Sequence, residues 1–76
     1  MWYELWDAET GNRIGEYSSE EEALSTVLAE IAKYGKKSIS TLGLLMRDPR
    51  HDKDGLIAEG NGLLERALSW DSRKTA

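Results

Sequence analysis

The 76-residue sequence contains no cysteine, one histidine and one proline. The absence of cysteine excludes disulfide bonds and thiolate-ligated zinc, two common ways of stabilising a chain this short. A domain of this length hides only about 60% of the surface that its unfolded chain exposes. The sequence therefore predicts one small domain that depends on strong local folding signals, on association with a partner, or on both.

Long apolar runs are also absent. No segment approaches the roughly 20 apolar residues of a transmembrane helix, and the first residues, Met1–Glu4, lack the basic region and apolar stretch of a signal peptide. We therefore expect a cytoplasmic protein that has no contact with membranes. With 39% hydrophobic and 32% charged residues, the composition is typical of a folded domain rather than a disordered segment.

The net charge of −4 is unevenly distributed. Residues 1–32 contain one base against eight acids, whereas residues 33–53 contain six bases against two acids. The negative overall charge argues against nonspecific nucleic-acid binding, and the basic segment leaves a local nucleic-acid contact open.

The N-terminal residues predict a β-hairpin. Residues 2–7 and 13–17 are predicted to be short strands, and either Gly11 or Asn12 can take the positive φ that a hairpin loop needs. Gly15 inside the second strand indicates a bulge or a close contact above the backbone.

A helix over residues 20–34 is the clearest predicted element. Ser19 fits the N-cap, and Glu22 is expected to reach back to the cap amide, as in a capping box. Apolar residues follow with the spacing of one helical stripe, and Gly35 fits the C-cap. This stripe consists of Leu24, Val27, Leu28 and Ile31.

The second half of the chain predicts two further strands and a second helix. We expect strands at about 41–47 and 56–59, separated by a polar loop, and a helix of about two turns that begins near Asn61. The predicted order is β-β-α-β-β-α, an α+β fold with an antiparallel sheet. Residues 1–70 form the predicted domain and residues 71–76 a frayed tail. The pattern leaves open whether the two hairpins join into one sheet.

Motifs for catalysis and metal binding are incomplete. The segment Asp52–Gly55 echoes the middle of an EF-hand loop, but Arg50 and Asn61 occupy positions where that loop requires carboxylate ligands. His51 lies beside Asp52 without a cysteine or a glycine-framed serine to act as nucleophile. We predict a protein that is not an enzyme and that has no catalytic, metal-binding or cofactor-binding residues.

The predicted strands are apolar on both faces. In the first strand, Tyr3 and Leu5 point one way while Trp2 and Trp6 point the other. Since the long helix covers only one face, the other face is a candidate protein interface. Its predicted members are Trp2, Trp6, Leu45 and Ile57, with Ile57 placed opposite Leu56 and Ala58. In the alternative interpretation, the short second helix covers this face.

The leading functional hypothesis is self-association, as a homodimer that uses the aromatic face or an edge strand. The second is single-stranded nucleic-acid binding, in which sheet aromatics stack on bases and basic residues hold phosphates. The basic candidates are Lys36, Lys37, Arg47, Arg50 and Lys53. Glu4 counts against this hypothesis, because a carboxylate between the two tryptophans repels phosphate. A third hypothesis, an acidic antitoxin-like or inhibitory partner of another protein, rests on the acidic N-terminal half.

Four segments carry a resemblance to known proteins: Tyr3–Asp7, Thr10–Gly15, Ser19–Leu24 and Ile57–Gly60. Together they resemble a group of small uncharacterised bacterial proteins that share a two-strand start, a Glu-Ala-Leu helix and an Ile-Ala-Glu-Gly strand end. The resemblance covers most of the chain and implies a bacterial source. It brings no established activity with it.

Overall fold

The computed structural model describes the backbone of residues 1–51 and 53–75 and the side chains of residues 1–50 and 55–73. The fold is α+β with the predicted order β-β-α-β-β-α. Two short 3₁₀ turns, Lys36–Ile39 and Pro49–His51, flank the third strand. The main elements are β1 (Trp2–Asp7), β2 (Asn12–Tyr17), α1 (Glu20–Tyr34), β3 (Leu42–Asp48), β4 (Lys53–Glu59) and α2 (Gly60–Thr75).

The four strands form one antiparallel sheet in the order β2-β1-β3-β4. The two hairpins join through β1 and β3, where Leu5 lies opposite Leu44. Both of these leucines are fully buried. The sheet is therefore continuous, and its centre is built from the two most apolar strands.

Both helices pack on the same face of the sheet. Residues of α1 and α2 share one core with the inward-facing residues of β1 and β3, so the interpretation in which α2 covers the opposite face is wrong. The result is a two-layer slab whose Cα atoms extend 34 × 32 × 17 Å. The buried core consists of Leu5, Ala23, Leu24, Val27, Ile39, Leu42, Leu44, Leu63 and Ala67.

The bounds of α1 agree with the prediction. The Glu22 amide donates to the Ser19 hydroxyl over 3.2 Å, which is the expected N-cap. The Glu22 carboxylate differs from the expectation, because it accepts from the amide and hydroxyl of Ser18 rather than from the cap amide. At the other end, Gly35 has a φ of 90° and its amide donates to the Ile31 carbonyl.

The second helix is longer than predicted. It continues to Thr75, so residues 71–75, predicted as tail, are helical, and Ala76 lies outside the described residues. One tertiary contact accounts for the extension: Trp70, which lies beyond the predicted two turns, packs against the core. Arg66, within the predicted helix, forms an ion pair with Glu20 of α1. Because these contacts lie far apart in sequence, the local pattern does not reveal them.

Gly15 has both features that its position predicts. A bulge displaces the register between the pairs Leu5–Gly15 and Trp6–Arg13, leaving Ile14 as the extra residue. The side chain of Tyr17 lies over Gly15, where a Cβ atom would come within 2.7 Å of the tyrosine Cζ.

The substitution Gly15→Ala is expected to lower the free energy of unfolding by about 1–2 kcal/mol, because the Tyr17 ring must leave its place against the core. Urea denaturation measures this difference. Gly55→Ala is the matched control, since a Cβ atom at that strand position meets nothing within 4 Å. Equal stabilities for the two variants would show that Tyr17 accommodates the methyl group without cost.

Candidate interaction surface

The face of the sheet opposite the helices, here called the open face, is organised in cross-strand rows. Directly opposed residues of antiparallel strands project to the same face, so the register assigns its members. An end row contains Arg13, Trp6, Gly43 and Glu59; a central row contains Glu16, Glu4, Leu45 and Leu56; and a third row contains Trp2 and Arg47.

Glu4 is the hub of the open face. Its two carboxylate oxygens accept hydrogen bonds from the indole Nε1 atoms of Trp2 and Trp6, both over 2.8 Å. The Nε atom of Arg47 donates to the same carboxylate over 3.2 Å, and Arg13 lies 3.7 Å away. The Glu4 side chain is only 7% exposed as a result.

These contacts lower the pKa of Glu4 from 4.5 to about 2. The indole hydrogen bonds from Trp2 and Trp6 are the main causes, and burial opposes them by favouring the neutral acid. The covering layer is one side chain thick, with solvent beyond it, so the charge is screened more than in a deep core. Glu4 is therefore ionised at neutral pH and is part of a satisfied network.

The network determines which groups the tryptophans offer to a partner. Both indole N–H groups point to Glu4, so the two rings converge on one carboxylate from opposite ends of β1. The donors are already used, and the exposed parts of the rings are hydrocarbon. Trp2 and Trp6 remain only half-buried despite their size. The open face thus presents an ordered aromatic strip.

Apolar side chains continue this strip across the sheet. Leu45 is half-buried beside Glu4, and Leu56, opposite Leu45 on β4, is 54% exposed. Gly43 contributes no side chain, and the Leu56 Cδ1 atom would lie 3.6 Å from a Cβ atom placed there. The Leu56 side chain therefore lies beside the position above Gly43, which is itself buried.

Three of the four predicted interface residues lie together on the open face: Trp2, Trp6 and Leu45. The placement of Ile57 is wrong, because a bulge pairs Leu45 with Leu56 and Leu44 with Ala58. Ile57 is the extra residue and packs against the core, while Leu56 takes the open-face position. Sequence reasoning also missed Glu4 as an organising residue and treated it only as a repelling charge.

The residues predicted to hold nucleic-acid phosphates fall into two groups, with Arg47, Arg50 and Lys53 at the β3–β4 turn and Lys36 and Lys37 at the other end of β3. Lys36 and Lys37 lie in the turn before β3 and Arg50 in the turn after it, so the length of that strand, about 20 Å, separates them. Arg47 is bound to Glu4. Lys53 belongs to β4, but its side chain is outside the described part of the chain.

The remaining candidates are the loop around His51, a metal site and a cleft between the two helices. The side chains of His51 and Asp54, and all of Asp52, fall outside the described residues. The part of the chain that is described holds no cluster of three or more His, Asp or Glu side chains suited to a metal ion. An open cleft between the start of α1 and the end of α2 is lined by Ser19, Glu21, Glu22, Ser25, Trp70 and Arg73.

Neither helix, over the residues described, has the length and apolar content needed to cross a bilayer. No protein-family model, curated protein or solved structure matches the chain.

Proposed function

We propose that this protein is a non-enzymatic, cytoplasmic interaction module that forms a homodimer through the open face. The observation that carries the proposal is the position of an ordered aromatic and aliphatic strip on a sheet face that neither helix covers. Such a strip is the kind of surface that protein interfaces bury, with tryptophan as a frequent anchor.

The edges of the sheet are less suitable for association. The two outer strands, β2 and β4, each carry a bulge, at Ile14 and at Ile57 respectively. A bulge twists an edge strand and interrupts its row of free amide and carbonyl groups, which hinders pairing with another chain. Between the two modes of self-association considered from the sequence, these bulges favour the face.

A second copy of the chain fits the charge pattern of the open face. The end row carries the cation Arg13 at one edge and the anion Glu59 at the other. A surface with both signs at opposite edges is complementary to itself, since rotation of one copy brings unlike charges together. Stacking also covers the sheet of a domain that is only two layers thick.

The size of the face sets the expected affinity. Four strands spaced about 4.8 Å apart and about 20 Å long give a projected area of roughly 400 Å². Standard specific interfaces bury about 800 Å² on each partner. We therefore expect a reversible dimer with a dissociation constant in the micromolar range rather than an obligate one.

The substitution Leu56→Glu is expected to raise the dissociation constant at least tenfold, because it places a carboxylate inside the apolar strip. Sedimentation equilibrium from about 1 to 500 µM measures this change. Leu68→Glu is the matched control, because Leu68 is 39% exposed but lies on α2, away from the open face. Equal dissociation constants for the two variants, or a wild-type chain that stays at 8.5 kDa throughout, would contradict the proposal.

Single-stranded nucleic-acid binding has less support, because the basic residues lie at opposite ends of β3 and Arg47 is held by Glu4. Salt-dependent binding of a labelled oligonucleotide, lost when Lys36, Lys37 and Arg50 are changed to Glu, would favour it instead. The acidic N-terminal region by itself does not identify a protein that this chain would inhibit.

A further inference from the structure

The end row of the open face has an ordered asymmetry. Across the sheet from β2 to β4 it reads Arg13, Trp6, Gly43 and Glu59. At the inner positions, Trp6 has the largest side chain and Gly43 has none. At the outer positions, Arg13 is a cation and Glu59 is an anion. Each half of the row therefore complements the other half in shape and in charge.

Two copies can be stacked with their open faces together and related by a two-fold axis that runs parallel to the strands. The axis lies between the two sheets, level with the gap between β1 and β3. The rotation reverses the order of the strands but keeps each residue at its level along them. Arg13 of one copy then faces Glu59 of the other, and Trp6 faces Gly43. Every such contact occurs twice in a symmetric dimer.

The position that Trp6 would cover on the other copy has an apolar border. Gly43 carries no side chain and is itself buried, and the exposed side chain of Leu56 lies beside the position that a Cβ atom would occupy there. In the third row, the same rotation places Trp2 over Arg47 of the other copy, an arrangement suited to a cation–π contact. The aromatic residues of one copy thus meet a glycine, a leucine and an arginine of the other.

The perpendicular two-fold axis gives a worse arrangement. Rotation about an axis in the interface plane and across the strands places each strand over its own copy. Because the central row then lies on the axis, Glu4 faces Glu4 and Glu16 faces Glu16. Leu45 and Leu56 also meet their own copies, but these contacts leave both pairs of like charges opposed, which is unfavourable in an interface.

The twist of stacked sheets leaves the outer contacts within reach. Aligned sheets pack about 10 Å apart and rotated by about 30°. The outer strands lie about 7 Å from the proposed axis, so this rotation displaces Arg13 from Glu59 by about 4 Å. Two long, exposed side chains can span that offset.

We infer that two copies stack face to face about a two-fold axis parallel to the strands, so that Arg13 of each copy pairs with Glu59 of the other while Trp6 covers Gly43. This inference rests on the proposed function and specifies the geometry of the dimer. It also yields a test that effects on folding cannot imitate.

The test uses Arg13→Glu and Glu59→Arg as separate proteins. Each variant alone opposes like charges at both ends of its homodimer, so its dissociation constant is expected to rise at least tenfold. An equimolar mixture restores both pairs in the heterodimer: the introduced glutamate faces the introduced arginine at one end, and the native Arg13 faces the native Glu59 at the other. The mixture is expected to associate within threefold of the wild-type constant, measured by sedimentation equilibrium in 150 mM salt.

A mixture of Arg13→Glu with Glu16→Arg is the matched control. It has the same net charges as the test mixture, but its altered residues both lie on β2 and do not face each other in the inferred dimer. Association of the fluorescently labelled Arg13→Glu protein is expected to be at least tenfold weaker in this mixture than in the test mixture, because its introduced glutamate still faces Glu59 of the other copy. The Glu16→Arg protein by itself keeps both Arg13–Glu59 pairs and is expected to form homodimers as the wild type does. If the wild-type chain dimerises but the two mixtures behave alike, the inferred axis is wrong and the proposed function stands; if the wild-type chain is monomeric, both fail.

Discussion

Replacing Glu4 with glutamine is expected to lower the free energy of unfolding by about 2 kcal/mol. Glutamine has one carbonyl oxygen, so it can accept from one indole but must turn its amide towards the other. One of the two tryptophan N–H groups then loses its acceptor in a half-buried position, and Arg47 loses its carboxylate. For a chain of this length, whose total stability is roughly 4–11 kcal/mol, the loss is large.

Glu16→Gln is the matched control for this substitution. Glu16 lies directly opposite Glu4 on β2, but it is exposed and contacts only Arg13 among the described side chains. Its replacement is expected to change stability by less than about 0.5 kcal/mol. Urea denaturation of both variants, followed by tryptophan fluorescence, measures the difference, and equal stabilities would show that the Glu4 network does not stabilise the fold.

The same network predicts a pH dependence. The pKa of Glu4 in the folded chain is about 2, below its ordinary value of 4.5. Ionised Glu4 therefore stabilises the fold above about pH 5, and this contribution is lost as the pH falls towards 2. With solvent screening, we expect a loss of about 2 kcal/mol. The Glu4→Gln protein should lack this part of the acid destabilisation, while Asp7, whose pKa is lowered mainly by a hydrogen bond from Thr41, affects both proteins equally.

The substitution Leu44→Ala is expected to lower the free energy of unfolding by about 3 kcal/mol. Leu44 is fully buried at the centre of β3, between Leu5 on β1 and Ala58 on β4. Both helices pack on the same core cluster, so the cavity that alanine leaves is enclosed on every side. This loss is between about a quarter and three quarters of the total stability expected for a chain of this length.

Leu56→Ala tests whether this cost depends on the face of the sheet. Leu56 is also a strand leucine, but it lies on the open face. Below the dimer dissociation constant, its replacement is expected to cost less than about 1 kcal/mol, because little buried area is lost. Thermal or urea unfolding at sub-micromolar concentration compares the two. Similar costs would contradict the assignment of the core to the helix side.

Elements defined by local chemistry were predictable from the sequence. Helix α1 lies where Ser19 and Gly35 place it, since both caps act on backbone groups within one turn. The first hairpin also follows its turn residues, and Gly11 has the positive φ that the loop requires. Gly15 combines a bulge and an overlying ring, which are the two interpretations that its position allows.

Features that depend on distant residues were not predictable in the same way. The bulge at Ile57 reverses the alternation of β4, and its position is fixed by the pairing of Leu44 and Leu45 with that strand. The extension of α2 includes Trp70, which packs against a core that residues of α1 share. Periodicity within a segment contains no information about either.

The open face combines features that the local sequence predicts with a feature that depends on distant residues. Alternation along β1 correctly placed Trp2 and Trp6 on the same face as Glu4. The sequence Trp-x-Glu-x-Trp also carried a signal for their hydrogen bonds, because side chains two residues apart on one strand are neighbours. The contribution of Arg47 required the β1–β3 register, which joins residues 43 positions apart. The charge of Glu4 alone suggested repulsion, whereas its partners make it a structural anchor.

The most direct test of the central claim is a dilution series followed by the indole N–H resonances in ¹H–¹⁵N NMR spectra. The chain has three tryptophans, of which Trp2 and Trp6 lie on the open face and Trp70 packs on the helix side. From 1 mM to 10 µM, the Trp2 and Trp6 signals are expected to shift together along one monomer–dimer curve while the Trp70 signal stays fixed. Constant Trp2 and Trp6 signals, or a shift confined to Trp70, would contradict self-association through the open face.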